Sequence, residues 1–211
     1  MTVCEPQGYE ALAKATDWGL WKRVFFIGGG TCAGKTTLAR SLSRACGAQL
    51  FSADDHLGRY ARLAELAGSA VAGHATETDF ERFWMRDPVV QFREMLQFYR
   101  DIFPFVAADL ADAARSAGPA LRGPAVVAEG IAFLPELLAA ARVPAGGCLF
   151  LTAGARVHAE RYARRDWIHL MLEGCSDRAR AFELWMARDE LFAAHVRAAC
   201  ARVGYRHVLV G

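Results

Sequence analysis

The sequence predicts an α/β protein, a five-stranded parallel sheet flanked by helices. Three observations carry this. Short apolar runs alternate with longer segments of helical period, the pattern of strand–helix–strand units around a parallel sheet. The first run leads straight into Gly29-Gly-Thr-Cys-Ala-Gly34-Lys35-Thr36, which satisfies G-x-x-x-x-G-K-[ST] in full, with a strand before it and a helix after it. Acidic residues then close the second and third runs, at strand ends where open parallel sheets hold their ligands.

Residues 1–22 read as a helical lead-in carrying Trp18 and Trp21. Arg23-Val-Phe-Phe-Ile-Gly28 is an apolar run ending in glycine, hence a buried first strand. Residues 35–46 place Leu38, Leu42 and Ala45 at helical spacing and stop at Gly47. Gln49-Leu-Phe-Ser52 is the second strand. Residues 57–118 are mostly helical. Within them Asp87-Pro88 starts a long helix, because Asp caps free N–H groups and Pro suits a first turn. Val89, Phe92, Leu96, Tyr99, Phe103 and Val106 then share one face. Pro104 lacks the N–H its turn needs, which predicts a kink or a split. Ala125–Glu129 is the third strand, 134–142 a helix, and Gly147–Thr152 the fourth strand. Residues 154–174 and 177–203 form two helices broken near Gly174, the second striped by Phe182, Trp185, Phe192, Val196 and Val203. Arg206–Val210 is the fifth strand. The chain reads as one domain over 1–211, with a helical insert at 57–118 and a lid region at 154–175.

Composition narrows the function. A net charge of +2 excludes a chain built mainly to coat nucleic acid, and 54% hydrophobic residues exclude a disordered one. Of the 25 basic residues 22 are Arg and three are Lys (Lys14, Lys22, Lys35). That excess reads as codon bias, so a single Arg carries little weight. The six Cys show no C-x-x-C spacing and read as small core residues in a reducing compartment. The first residues carry no basic and apolar runs of a secretion signal, and the uncharged run 143–155 is far short of the about 20 apolar residues of a membrane helix. A soluble cytoplasmic protein is expected, without nucleic-acid or membrane partners; a homodimer stays open.

The glycine loop carries the chemistry. Glycines let backbone N–H groups point into one concavity, and the following helix adds its positive end. Gly29, Gly30, Thr31, Cys32, Ala33, Gly34, Lys35, Thr36 and Thr37 would cradle the phosphates of ATP, with Lys35 at the β- and γ-phosphates and the Thr36 hydroxyl on Mg²⁺. In Ser52-Ala-Asp54-Asp55-His56 one carboxylate could take the proton of an attacking hydroxyl and the other orient Mg²⁺. Asp54 is the expected base and Asp55 the expected metal residue. Glu129 occupies the Walker-B position beside the metal. Arg161, Arg164 and Arg165 share a helix face by i,i+3 and i,i+4 spacing, so a lid could carry them over the phosphates. Arg161 and Arg165 are expected in catalysis and Arg164 in nucleotide binding; Asp189 sits on an apolar stripe and could pair with a lid Arg. An acceptor pocket needs apolar walls with a few polar groups. The candidates are Asp54, His56, Arg59, Tyr60, Trp84, Arg86 and Tyr99, with His74 and Glu77 on the same insert, and Arg59 and Arg86 available to an anionic acceptor.

With these motifs the chain resembles the P-loop small-molecule kinases, especially the uridine kinase and nucleoside/nucleotide kinase group. The resemblance rests on Gly28-Gly-Gly-Thr-Cys-Ala-Gly-Lys-Thr-Thr37, Ser52-Ala-Asp-Asp-His56, Val126-Val-Ala-Glu-Gly-Ile131 and Arg161-Tyr-Ala-Arg-Arg-Asp166. It implies a P-loop NTPase fold over most of 23–210, a catalytic acid at Asp54, a strand-three acid at Glu129 and lid arginines at Arg161, Arg164 and Arg165. The family's strand-two motif ends in an aromatic pair, where this chain has Asp55-His56-Leu57. Trp185-Met-Ala-Arg-Asp189 is similar to a stretch of bacterial kinase-like proteins.

The expected activity is transfer of the ATP γ-phosphoryl group to a hydroxyl of a small molecule, first a nucleoside-like one. An antibiotic or natural-product acceptor, as in the chloramphenicol phosphotransferases, is the alternative. A GTPase switch is excluded, because base selection by N-K-x-D needs an Asn and this chain has none. A non-catalytic nucleotide-binding protein is disfavoured by the joint presence of Lys35, Thr36, Asp54 and Glu129.

Overall fold

The computed structural model describes residues 19–73 and 79–211. The expected lead-in helix therefore lies outside the described residues except for its end, where Leu20–Arg23 form one 3-10 turn that buries Trp21. His74 and Glu77 also lie outside them.

Five parallel strands form one sheet in the order β2-β3-β1-β4-β5. They are β1 (Val24–Gly29), β2 (Gln49–Ser52), β3 (Val126–Glu129), β4 (Cys148–Ala153) and β5 (His207–Val210). Alternation along β1 sends Val24 and Phe26 to one face and Phe25 and Ile27 to the other, so both faces are apolar and both take helices.

On one face lies α1 (Lys35–Cys46), packed through Leu38, Ala39 and Leu42 against Ile27, Val127 and Leu151. Gly47 caps it in the left-handed conformation at φ 65°, as the sequence predicts. On the opposite face lie α2 (Leu57–Leu66), α4 (Pro88–Ser116), α5 (Pro135–Ala140) and α8 (Arg178–Val203). Three helix starts follow the capping rule: Asp79 accepts from the Arg82 N–H at 3.0 Å, Asp87 from the Val89 N–H at 2.7 Å and Asp177 from the Arg180 N–H at 2.9 Å.

One expectation narrows and one needs correction. Pro104 does not split its helix, and α4 runs unbroken through 29 residues. One missing backbone bond is outweighed by the burial of Ile102, Phe103, Val106 and Leu110 around it. The 154–174 segment is not one helix but two, α6 (Ala155–Ala163) and α7 (Ile168–Met171). Arg164 closes α6, and the aromatic Trp167 turns the chain before α7. Arg161, Arg164 and Arg165 therefore do not share a helix face.

The short helix α3 (Phe80–Trp84), α6, α7 and the first turns of α8 share a small second core of Trp84, Tyr162, Leu172, Cys175, Ala181 and Trp185. Trp84 and Trp185 stack with ring centroids 4.0 Å apart, and Glu81 accepts two hydrogen bonds from Ser176 at 2.8 Å. α3 of the 57–118 segment thus packs as one body with α6, α7 and the start of α8. Trp185→Ala is expected to cost ~3–5 kcal/mol in urea unfolding. Hydrogen exchange should show α3, α6 and α7 losing protection together; loss confined to α8 would contradict a shared core.

Candidate functional site

The site forms where β1, β3 and β2 end. The Cα partners Ile27, Glu129 and Ser52 stand level across these strands, so the loops that follow open from one line. Gly29 takes φ +114°, and a Cβ there would run into the Leu151 carbonyl. No other residue lets the chain leave β1 this close to β4.

Lys35 opens α1 with its side chain buried, 6% exposed, and its Nζ donates to the Gly30 carbonyl of its own loop at 2.8 Å. Burial lowers its pKa, against the pull of the Asp54 and Glu129 carboxylates. Glu129 follows the alternation of Val127 toward the α1 face. Its Oε1 accepts from the hydroxyls of Thr36 and Ser52, both at 3.1 Å. Its Oε2 is buried and has no partner among the described residues. Burial raises the Glu129 pKa and the neighbouring Asp54 charge adds to the rise.

Asp54 opens the 3-10 turn after β2, and its Oδ1 accepts from the Ile131 N–H at 3.0 Å. Gly130 permits this approach, since a Cβ there would come within 2.8 Å of Ala53 Cβ and 3.1 Å of Asp54 Oδ1. Burial raises the Asp54 pKa, with Lys35 and the Ile131 N–H opposing. Lys35, Thr36, Asp54 and Glu129, expected together, do meet. Asp55 and His56 lie farther out, although the Asp55 charge adds to the rise of the Asp54 pKa. Both are exposed, Asp55 makes no hydrogen bond or ion pair among the described residues, and His56 sets its ring edge-on to Tyr60. The three-residue turn points only its first carboxylate inward.

The arginines divide. Arg161 donates to the Cys32 carbonyl of the loop at 2.8 Å. Arg165 lies over the Tyr162 and Trp167 rings and adds to the lowering of the Lys35 pKa. Arg164 is exposed and makes no hydrogen bond or ion pair among the described residues. Asp189 does not pair with a lid Arg. Its Oδ1 accepts from Nε and Nη2 of its neighbour Arg188, at 2.8 and 2.6 Å. Its Oδ2 accepts from the Thr31 hydroxyl at 2.9 Å. The Thr31 proton being engaged, His158 Nε2 is the donor in the 2.9 Å contact to the Thr31 oxygen. Burial alone would raise the Asp189 pKa, but Arg188 and His158 hold it low.

Beside Thr31 and Ile131 lies a cavity of about 210 Å³, reached by Arg86, Gln91, Tyr99 and Arg188. A larger one, about 570 Å³, lies against Gly30, Thr31, His158 and Asp189, and neither cavity is lined by Lys35 or Asp54. The smaller cavity has the better claim to an acceptor, because the Ile131 N–H on its wall holds Asp54. Of the candidate acceptor residues, Arg86 and Tyr99 line it. Trp84 is in the second core, and Arg59 and Tyr60 both bond to Asp109 instead. The missed residues are Gln91, His158 and Arg188. Arg188 was hidden by the general excess of Arg, although its place beside Asp189 on an apolar stripe was a usable signal.

Among the described residues no three His, Cys, Asp or Glu side chains gather as a metal group. None of their helices is long and apolar enough to cross a membrane. No known protein family matches the chain, and no curated protein matches its sequence.

The raised Asp54 pKa has a consequence for stability. A carboxyl whose folded pKa exceeds its unfolded value costs stability when ionised, and the cost fades as pH falls through the folded value. Asp54→Asn keeps the acceptor for Ile131 and removes the charge. Its melting temperature at pH 7 is expected above the parent's, and the gap should close toward pH 4; a lower melting temperature at pH 7 would count against the assignment.

Proposed function

We propose that the protein is an ATP-dependent phosphotransferase that moves the γ-phosphoryl group to a hydroxyl of a small molecule, using Gly29–Thr36 as a P-loop. One observation supports this most: Lys35, Thr36, Asp54 and Glu129 converge at the carboxyl ends of adjacent parallel strands, next to a cavity of ligand size.

The loop N–H groups and the α1 N-terminus bind the phosphate oxygens. Lys35 Nζ exchanges the Gly30 carbonyl for the β- and γ-phosphates. The acceptor oxygen attacks phosphorus, the bond to the ADP oxygen breaks, and Asp54 takes the hydroxyl proton. Burial raises the Asp54 pKa toward the working pH, which suits a base. Arg161 and Arg165 stabilise charge on the transferring oxygens from a lid that touches the loop at Cys32. The residues fit a divalent cation: Thr36 and Glu129 would hold Mg²⁺, the unpartnered buried Oε2 of Glu129 being an oxygen that lacks a positive partner. Bound there, Mg²⁺ supplies charge neutralisation for the phosphates.

The test is ADP release from Mg-ATP with a panel of nucleosides, nucleotides, sugars, and phenicol and aminoglycoside drugs. At least one acceptor should raise turnover, and Asp54→Asn should lower kcat ~10²- to 10⁴-fold. ATP at a hundred times its Kd should stabilise the parent by about 2.7 kcal/mol, and Lys35→Ala should abolish that shift. A shift retained in Lys35→Ala, together with no acceptor above background, sinks the proposal.

A further inference from the structure

We infer that the acceptor is an uncharged, ring-bearing alcohol, and that Gln91 and Glu94 in the 210 Å³ cavity select it against phosphorylated or carboxylated analogues. The inference rests on the phosphotransfer reading and narrows its substrate class.

Charge comes first. The cavity is lined by two arginines, Arg86 and Arg188, and both are already neutralised. Arg86 Nη1 lies 2.8 Å from Glu94 Oε2 and 3.0 Å from Oε1, while its Nε donates to the Phe83 carbonyl at 3.2 Å. Arg188 is held by Asp189 through two hydrogen bonds. Two cations face two anions. A phosphate entering here would lose its water and find both arginines already paired, and drawing Arg86 away would break its ion pair with Glu94. Among the described residues the wall presents no unpaired arginine or lysine of the kind an anion site needs, which weakens the case for an anionic acceptor on Arg86.

The polar groups left over are neutral in their demand. Gln91 is 3% exposed, and its Nε2 donates to the Trp84 and Arg86 carbonyls, at 3.1 and 2.9 Å. Those two bonds fix which end of the amide is oxygen. That oxygen, Oε1, is buried and has no partner among the described residues. A buried acceptor left unmet costs free energy that a ligand N–H or O–H would recover. Arg188 Nη1 likewise makes no hydrogen bond among the described residues, so the cavity has a donor to match a ligand carbonyl or hydroxyl. Most of the remaining wall is apolar, with Phe83, Phe98, Tyr99 and Tyr162 among its residues beside Val71, Met95 and Ile131, which suits a flat apolar body. Shape, charge and the unmet oxygen agree on one ligand class: a neutral ring compound that carries a donor for Gln91.

The experiment compares binding of matched probes to the full chain without nucleotide, by calorimetry. The pairs are uridine with uridine 5′-monophosphate, thymidine with its 5′-monophosphate, and 3-phenylpropane-1,2-diol with 3-phenyllactate. The neutral member should bind at least about tenfold more tightly in one pair or more, with the anionic member the tighter in none. Glu94→Gln, which frees Arg86, should shift that ratio toward the anion, and Gln91→Met should weaken the neutral probe. Should Gln91→Met fail to fold, the parent and Glu94→Gln comparisons decide alone. Tighter binding of the anionic member, a ratio unmoved in Glu94→Gln, or no binding of any neutral probe at millimolar concentration overturns the inference. ADP release with an anionic acceptor would overturn it and leave phosphotransfer standing. Neutral preference with no ATP-dependent shift and no ADP release would instead sink phosphotransfer.

Discussion

The rest of the site depends on a buried ammonium. Lys35 sits out of water within reach of two carboxylates, Asp54 and Glu129, whose own burial disfavours their charged forms. All three groups sit where burial disfavours the charged form. What holds them is backbone: the Ile131 N–H on Asp54, the Gly30 carbonyl on Lys35, and the rigid line of three strand ends beneath. A phosphate chain and a cation entering this cluster would find its charges already oriented, so little reorganisation would be left for the reacting state.

A second layer of order stands behind the first. Thr31 belongs to the loop, His158 to α6, and Arg188 and Asp189 to α8, yet four side chains form one network. Arg188 also lies over the Trp84 and Trp185 rings, so the same guanidinium touches the second core and the 210 Å³ cavity. The glycine loop, α6 and the cavity wall are therefore tied by direct contacts. This coupling is a matter of packed and hydrogen-bonded contact, not of distance alone.

Much of the fold was legible because it rests on local rules. Apolar runs bounded by glycine gave the strands, Asp87 and Gly47 behaved as caps, and the glycine loop announced the site at the end of β1. Asp54 and Glu129 were legible for the same reason, since strand ends fall where the apolar runs stop. The failures are non-local. Asp55 and Asp54 are neighbours in sequence, and only the pitch of a 3-10 turn separates an inward carboxylate from an exposed one. Arg59 looked available until Asp109, fifty residues on, came to lie beside it. Gln91 was silent, because an unmet oxygen is a property of everything packed around it. The lid arginines misled through an assumed single helix, which the Arg164–Trp167 turn interrupts.

The strand order has a meaning for how the chain is made. β1 lies at the centre of the sheet, and Val24 pairs with Val126 while Phe26 pairs with Cys148. Neither neighbour exists until roughly a hundred residues later have been synthesised, about 5 to 20 s at usual elongation rates. For that interval Val24-Phe-Phe-Ile27 has no sheet to join, although it is as apolar and as β-prone as any stretch of the chain. The strand that carries the glycine loop is thus the one most exposed to mispairing while the chain is being made, and the closing of β3 and β4 around it is the step that protects a newborn molecule from aggregation.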